Sequence, residues 1–231
     1  MVSIQSSQGK IYGLSPEKAS NYGMGLSKSF YIGSPHQITL SADYYVTDFS
    51  DQVVVDWENP REISFYNLKG RSAAKSLQLE LDYNFRGVLN LRAAYKNYDV
   101  KIDYNSGLLQ KPLLAKNRFF VNLGLESEKS SQSKQWRWDV TFHHVGVQRL
   151  VKNQRDGVNA FSPSFSLWNT QLTRVFSKKF EMYLGGENIG NYKQSSPIIG
   201  SEDPFGIDFD AAQVYAPVFG GMVYSGLRLK I

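Results

Sequence analysis

SLQLELDYN, residues 76–84, puts Leu77, Leu79, Leu81 and Tyr83 on one side of an extended chain and Gln78, Glu80, Asp82 and Asn84 on the other. Successive strand side chains point to opposite faces, so such a segment has one apolar and one polar surface. The same period of two recurs on both sides of it. Ile38, Leu40, Ala42, Tyr44 and Val46 alternate with Thr39, Ser41, Asp43 and Thr47, and Leu89, Leu91, Ala93 and Tyr95 with Asn90, Arg92 and Lys96. Phe119, Val121, Leu123 and Leu125 oppose Asn122 and Glu126; Trp136, Trp138, Val140 and Phe142 oppose Arg137, Asp139 and Thr141. Phe180, Met182 and Leu184 oppose Glu181, Tyr183 and Glu187, and only the stretch around Trp168 leaves its register open.

Nine strands are expected, near residues 20–32, 36–56, 62–85, 88–103, 117–128, 134–148, 164–177, 179–190 and 218–231. Several exceed the five or six residues usual in a sandwich. LSPEKAS, residues 14–20, carries Pro16 and Glu17 as a first helical turn does, but no apolar period continues it, so it reads as a loop. Short connections (GSPH, FRG, KSSQSK, SKK) alternate with longer ones: ENPRE, YNSGLLQKPLLAK, VKNQRDGVNAFSP and the segment from Tyr192 to about Pro217. Antiparallel up-and-down strands put every second connection at one end, so one end is trimmed and the other elaborated.

The chain has 231 residues, 42% hydrophobic and 14% aromatic, enough for one sizeable domain. With no cysteine it has no disulfides or thiolate metal sites. The formal charge of +5 comes from 26 basic and 21 acidic residues that are mixed along the chain, which gives no nucleic-acid stripe. No apolar run reaches the length of a membrane helix, and MVSIQSSQGK lacks the regions of a secretory signal.

Alternation leaves open which face is outermost. A soluble lipocalin-like barrel keeps its apolar residues inside, whereas a membrane barrel turns them outward, crosses with tilted strands of about 9–11 residues and carries aromatic girdles. Aromatics near strand ends, among them Tyr44, Tyr45, Phe49, Trp57, Tyr104, Phe119, Phe120, Trp136 and Trp138, favour the membrane barrel.

Several stretches then resemble, in order, the C-terminal barrel half of TonB-dependent outer-membrane receptors, in the style of Bacteroidetes-like bacteria. They are LSPEKASNYGMGLSKSF (14–30), ITLSADYYVTDFSDQVVV (38–55), LQKPLLAKNRFFVNLG (109–124), YLGGENIGNYKQSSPIIG (183–200) and FGGMVYSGLRLKI (219–231). GGENIGNY is similar to that family's penultimate-strand pattern. The resemblance implies an all-β, antiparallel transmembrane segment of about nine or ten strands, the C-terminal part of a 22-stranded barrel. Residues 1–231 are then barrel, with the plug domain absent from this stretch. The implied function is TonB-energised uptake of a scarce nutrient such as a ferric siderophore, vitamin or oligosaccharide. The implied surroundings are the Gram-negative outer membrane with its lipopolysaccharide, the receptor's own plug and, through it, TonB, the barrel-assembly machinery and the nutrient. No nucleic acid, cofactor or metal is called for.

Candidate chemistry is sparse. His143 and His144 are adjacent on a strand and point apart, so they cannot share a metal from there. Asp48 and Asp51 lack the ligand density of a calcium loop. GGENIG, residues 185–190, has no strand-to-helix context for phosphate and suits close backbone packing in a barrel wall. No nucleophile motif joins Ser, His and Asp, so an enzyme is not expected; a soluble ligand-binding barrel and an outer-membrane barrel enzyme remain the alternatives. Inward charges, among them Glu80, Asp82, Arg92, Arg137, Glu181 and Arg228, read mainly as a ladder of cross-strand pairs.

By analogy with the family, substrate contacts fall in the longer loops: Trp57, Arg61, Tyr104, Arg155, Tyr192, Lys193 and Tyr215, with Lys111, Phe161 and Phe205 nearby. Their aromatic and basic mixture suits an anionic organic ligand. The closing YSGLRLKI resembles the signal that outer-membrane proteins present for assembly, carried by Tyr224, Gly226, Leu229 and Ile231, with Ile231 where an aromatic is usual. Val223, Leu227, Leu229 and Ile231 are expected to face lipid, and Tyr224, Gly226, Arg228 and Lys230 the lumen.

Overall fold

A computed structural model describes residues 2–4, 13–33, 35–59, 62–68, 70–130, 134–151 and 160–230. Its strands, in chain order, are β1 (Val2–Ile4), β2 (Lys18–Ile32), β3 (His36–Asp51), β4 (Val53–Asn59), β5 (Glu62–Asn67), β6 (Ser72–Phe85), β7 (Leu89–Tyr104), β8 (Gly107–Gln110), β9 (Asn117–Glu126), β10 (Gln135–Val145), β11 (Phe165–Val175), β12 (Phe180–Glu187) and β13 (Met222–Leu229). Nine of them form one antiparallel meander, β2-β3-β6-β7-β9-β10-β11-β12-β13, with β8 hairpinned onto β7. These nine are the strands that the alternation predicts.

Two expected strands are each cut in two. The segment 36–56 breaks at Gln52, where β3 ends and β4 begins, and the segment 62–85 breaks between β5 and β6. β4 and β5 leave the meander as a hairpin that forms a separate small sheet with β1, which runs parallel to β5. The main sheet closes beneath them, because Phe49 pairs with Ser72, and Leu68 N–H donates to the Gln52 carbonyl across the neck at 2.8 Å. The alternation lapses at both breaks, in TDFSDQVVV (47–55) and NLKGRSAA (67–74), but a lapse does not tell that the strand changes partner.

The register builds two continuous faces. Directly paired residues share a face, and the rows Leu26–Ala42–Leu79–Tyr95–Phe119 and Trp138–Leu172–Leu184 extend one apolar surface across the sheet. Trp168 pairs with Phe142 on that surface, which settles the register left open there. The opposite face carries Ser41, Glu80, Asp82, Arg92, Asn122, Asp139, Gln171 and Glu181. Exposure runs opposite to that of a soluble protein: Leu26 is 66% and Leu184 57% exposed, whereas Ser72 on the polar face is 2% and Thr173 4% exposed.

Packed apolar core is found elsewhere. Val54, Tyr66, Leu68, Ile102 and Tyr104 form a buried cluster with Leu109 against it. It joins the β4–β5 hairpin to the ends of β7 and β8, at the end of the meander where the longer connections lie. At the other end the turns are tight. Between β6 and β7, Arg86 and Gly87 are both left-handed, at φ 54° and 68°, and Val88 N–H closes the turn on the Phe85 carbonyl at 2.9 Å.

Candidate functional site

At the elaborated end, side chains tie the connections into one platform. Tyr66 Oη donates to Asp56 Oδ2 at 2.7 Å and accepts from the Asn105 amide at 3.0 Å. Arg149, beyond β10, reaches the hairpin and grips both Glu58 oxygens, Nη1 to Oε2 at 2.9 Å. Its Nε donates to the Gln110 carbonyl of β8. Both partners are nearly closed to solvent, with side chains 11% and 10% exposed, so the fork must be bidentate to offset the cost of drying two charges. Burial raises the Tyr104 pKa to about 12, and the nearby Glu58 carboxylate adds to the rise. Burial likewise pushes Tyr66 well above the ordinary tyrosine value.

The connection between β12 and β13 is organised by buried amides. Asn188 is left-handed, with φ 49°; its Nδ2 donates to the Tyr192 carbonyl at 2.7 Å and its Oδ1 accepts from Tyr192 N–H at 3.1 Å. Gln194 Oε1 accepts from the backbone of Tyr215 and Ala216, while its Nε2 donates to the Gln213 carbonyl. Gln213 Nε2 in turn donates to the Val151 carbonyl at 3.0 Å, and Gln148 Nε2 to that of Tyr215 at 3.1 Å. Side-chain amides can pair with the backbone of irregular chain as a ladder cannot, which lets a long connection be buried in part.

The candidate ligand contacts divide over this platform. Trp57, Tyr104 and Lys111 line one cavity of about 210 Å³ beside β4. Tyr104 is only 4% exposed, so its ring serves the hairpin core and does not stand free in a loop as the sequence suggests. Tyr192 stacks on Phe165, with ring centroids 5.1 Å apart and planes at 9°. Burial raises the Tyr215 pKa, with Tyr192 nearby adding to it. Lys193 and Phe161 are exposed, and Phe205 is fully so. Arg61 and Arg155 lie outside the described residues. Sequence reasoning missed Glu58, Arg149, Gln194 and Gln213; a basic or acidic residue in a loop looks solvated until its partner, up to 91 positions away, is known.

The polar face carries the expected cross-strand pairs. Arg92 Nε sits 2.9 Å from Asp82 Oδ1, with Glu80 at 3.6 Å from Nη2. Glu181 is shared by Arg137 and Arg228. His143 rests edge-on against Phe120, and His144 Nδ1 bonds Ser166 Oγ at 2.9 Å on the opposite face. In the closing hairpin, Tyr183 lies over Gly226 and Tyr224 over Gly185, each tyrosine opposite the glycine it covers. A Cβ on either glycine would overlap the ring. Tyr224 Oη also donates to Gln171 Oε1 at 3.1 Å. Leu229 pairs with Phe180 on the apolar face, and Ile231 lies outside the described residues.

A family model described as TonB dependent receptor-like, beta-barrel, matches residues 4–189. Among solved structures, the ferric-catecholate import receptor Fiu of E. coli K12 superposes with a TM-score of 0.63 at 12% identity, over 97% of this chain and 31% of that one. The pyoverdine outer membrane receptor FpvA of Pseudomonas aeruginosa PAO1 gives 0.64 at 10%, over 94% and 30%. The copper transporter OprC gives 0.59 at 15%, over 94% and 32%. The chain thus spans just under a third of the length of these structures, and at such identities the likeness is one of fold. No curated protein matches the chain.

Proposed function

The chain belongs to the TonB-dependent receptor β-barrel family, and on that premise we propose that it forms the C-terminal part of the wall of an outer-membrane receptor. That receptor imports a scarce nutrient with energy relayed through its plug and TonB. The observation that carries this reading is the inverted surface: nine paired strands expose an apolar face and shelter a polar one, which suits lipid outside and a wet lumen inside. In this arrangement the tight turns face the periplasm and the platform faces the exterior.

A ferric siderophore or another anionic organic ligand fits the exterior end best. Trp57, Arg61, Arg155, Tyr192, Lys193 and Tyr215 offer aromatic surface and positive charge there, and of the similar structures named above one is a ferric-catecholate import receptor and another a pyoverdine receptor. OprC carries copper by its name, so the family allows other cargo. Tyr224, Gly226, Leu229 and Ile231 are assigned to the assembly signal, where Gly226 also makes room for Tyr183.

Fractionation of cells expressing the full receptor tests membrane placement. The receptor is expected with the outer membrane and in solution only with detergent; folded, detergent-independent protein in the soluble fraction would overturn the proposal. For the cargo, iron-limited cells carrying the receptor should take up ferric siderophore, and W57A should lower that uptake several-fold at unchanged receptor level. Uptake independent of the receptor would remove the siderophore reading.

A further inference from the structure

Among residues of β10, β11 and β12 on the apolar face, Arg174 is a charge out of place. It is directly opposite Trp136 and Met182, with Leu172 and Phe176 two positions away on its own chain. Diagonally it meets Trp138, Phe180 and Leu184. None of these carries a negative charge, and among the described residues Arg174 has no ion-pair partner. Its guanidinium instead lies 4.7 Å from the Trp136 ring centroid and 5.8 Å from that of Phe176, and Phe176 stacks on Phe180 at 5.3 Å. Rings hold such a cation by their faces and leave its N–H edges free.

The setting adds to the charge. Arg174 is one residue from the tight-turn end of β11, where the adjoining connection carries Lys178 and Lys179. Beyond Arg174 the row Trp138–Leu172–Leu184 continues as apolar surface. At another corner of the same end, Lys28 lies 5.2 Å from the Phe30 ring and Arg86 5.5 Å from that of Phe85. Among the described residues the carboxylates that the register places on this face, Asp48, Asp99 and Asp103, are on the far halves of their strands.

We propose that Arg174, held over Trp136 and Phe176, binds the phosphate of an anionic phospholipid in the leaflet at the tight-turn end, with an acyl chain lying along Trp138, Leu172 and Leu184. This rests on the membrane-wall reading above. A planar guanidinium matches phosphate oxygens in pairs, and the uncompensated charge of Arg174 favours a lipid of net negative charge over a zwitterionic one. A basic side chain near an anionic lipid surface is worth about a fivefold factor in binding.

The test is native mass spectrometry of the full receptor in neutral detergent, titrated with phosphatidylglycerol or phosphatidylcholine. Wild type is expected to retain phosphatidylglycerol about fivefold over phosphatidylcholine, R174K to keep only part of that preference because an ammonium cannot pair two phosphate oxygens, and R174Q to retain the two equally. Equal retention by wild type, or an undiminished preference in R174Q, would overturn the proposal by showing that Arg174 only reaches for water. Should R174Q fail to assemble, the wild-type comparison decides. Failure of the membrane-wall reading looks different: the receptor would be recovered folded without detergent.

Discussion

Gly226 and Gly185 face each other's tyrosines across the closing hairpin, and the room they leave is what Tyr183 and Tyr224 occupy. Replacing Gly226 by valine inserts side-chain atoms where the Tyr183 ring lies, an overpacking that costs about 1–3 kcal/mol. G226V is expected to lower the fraction of receptor that assembles, measured as heat-modifiable protein on gels, and pairing it with Y183A should restore part of the loss. A G226V defect that Y183A leaves untouched would point to the assembly signal alone. GGENIG suggests close packing by its composition, but its partner is not legible, because which tyrosine meets which glycine depends on the pairing register of two strands. Tyr104 makes a second residue-scale case. Its pKa of about 12 exceeds the ordinary value of 10, so folding favours the neutral phenol. That contribution is complete below about pH 10 and is lost as pH rises towards 12. Hydrogen-exchange protection of β4 and β5 should follow that window, more weakly in Y104F; loss already complete at pH 8 would contradict the burial described here.

At the scale of elements, the nine wall strands are legible because each has one apolar and one polar face, and that demand writes itself as period two. The same signal does not reveal the departure at Gln52. β4 also alternates, with Val54 2% and Val55 49% exposed, but its inward residues meet Ile102 and Tyr104 and not lipid. Alternation reports that a strand has two different sides; it does not report what covers them. The Glu58–Arg149 fork was illegible for a related reason, since the two lie on connections that only the finished meander brings to one end. Because Phe49 and Ser72 pair directly beneath the hairpin, replacing 53–67 by a short turn should leave wall assembly at wild-type level while removing the Trp57 cavity. Loss of assembly would show that the hairpin is part of the wall.

Taken whole, the proposed wall turns its apolar face to lipid and its polar face to water. That orientation accounts for the exposed leucines and tryptophans on one face, the paired charges on the other and, among the described residues, a packed core confined to the platform. The family match covers the chain to residue 189, and the superposed receptors extend the same architecture beyond it. The chain has no cysteine of its own, so single cysteines along β6 can report on each face in turn. Spin labels at 77, 78, 79, 80, 81 and 82 in the full receptor, reconstituted in bilayers, are the most direct measurement. Labels on L77C, L79C and L81C should collide with oxygen dissolved in the lipid, and those on Q78C, E80C and D82C with a water-soluble nickel reagent. The opposite phase, or six labels that behave alike, would contradict the account.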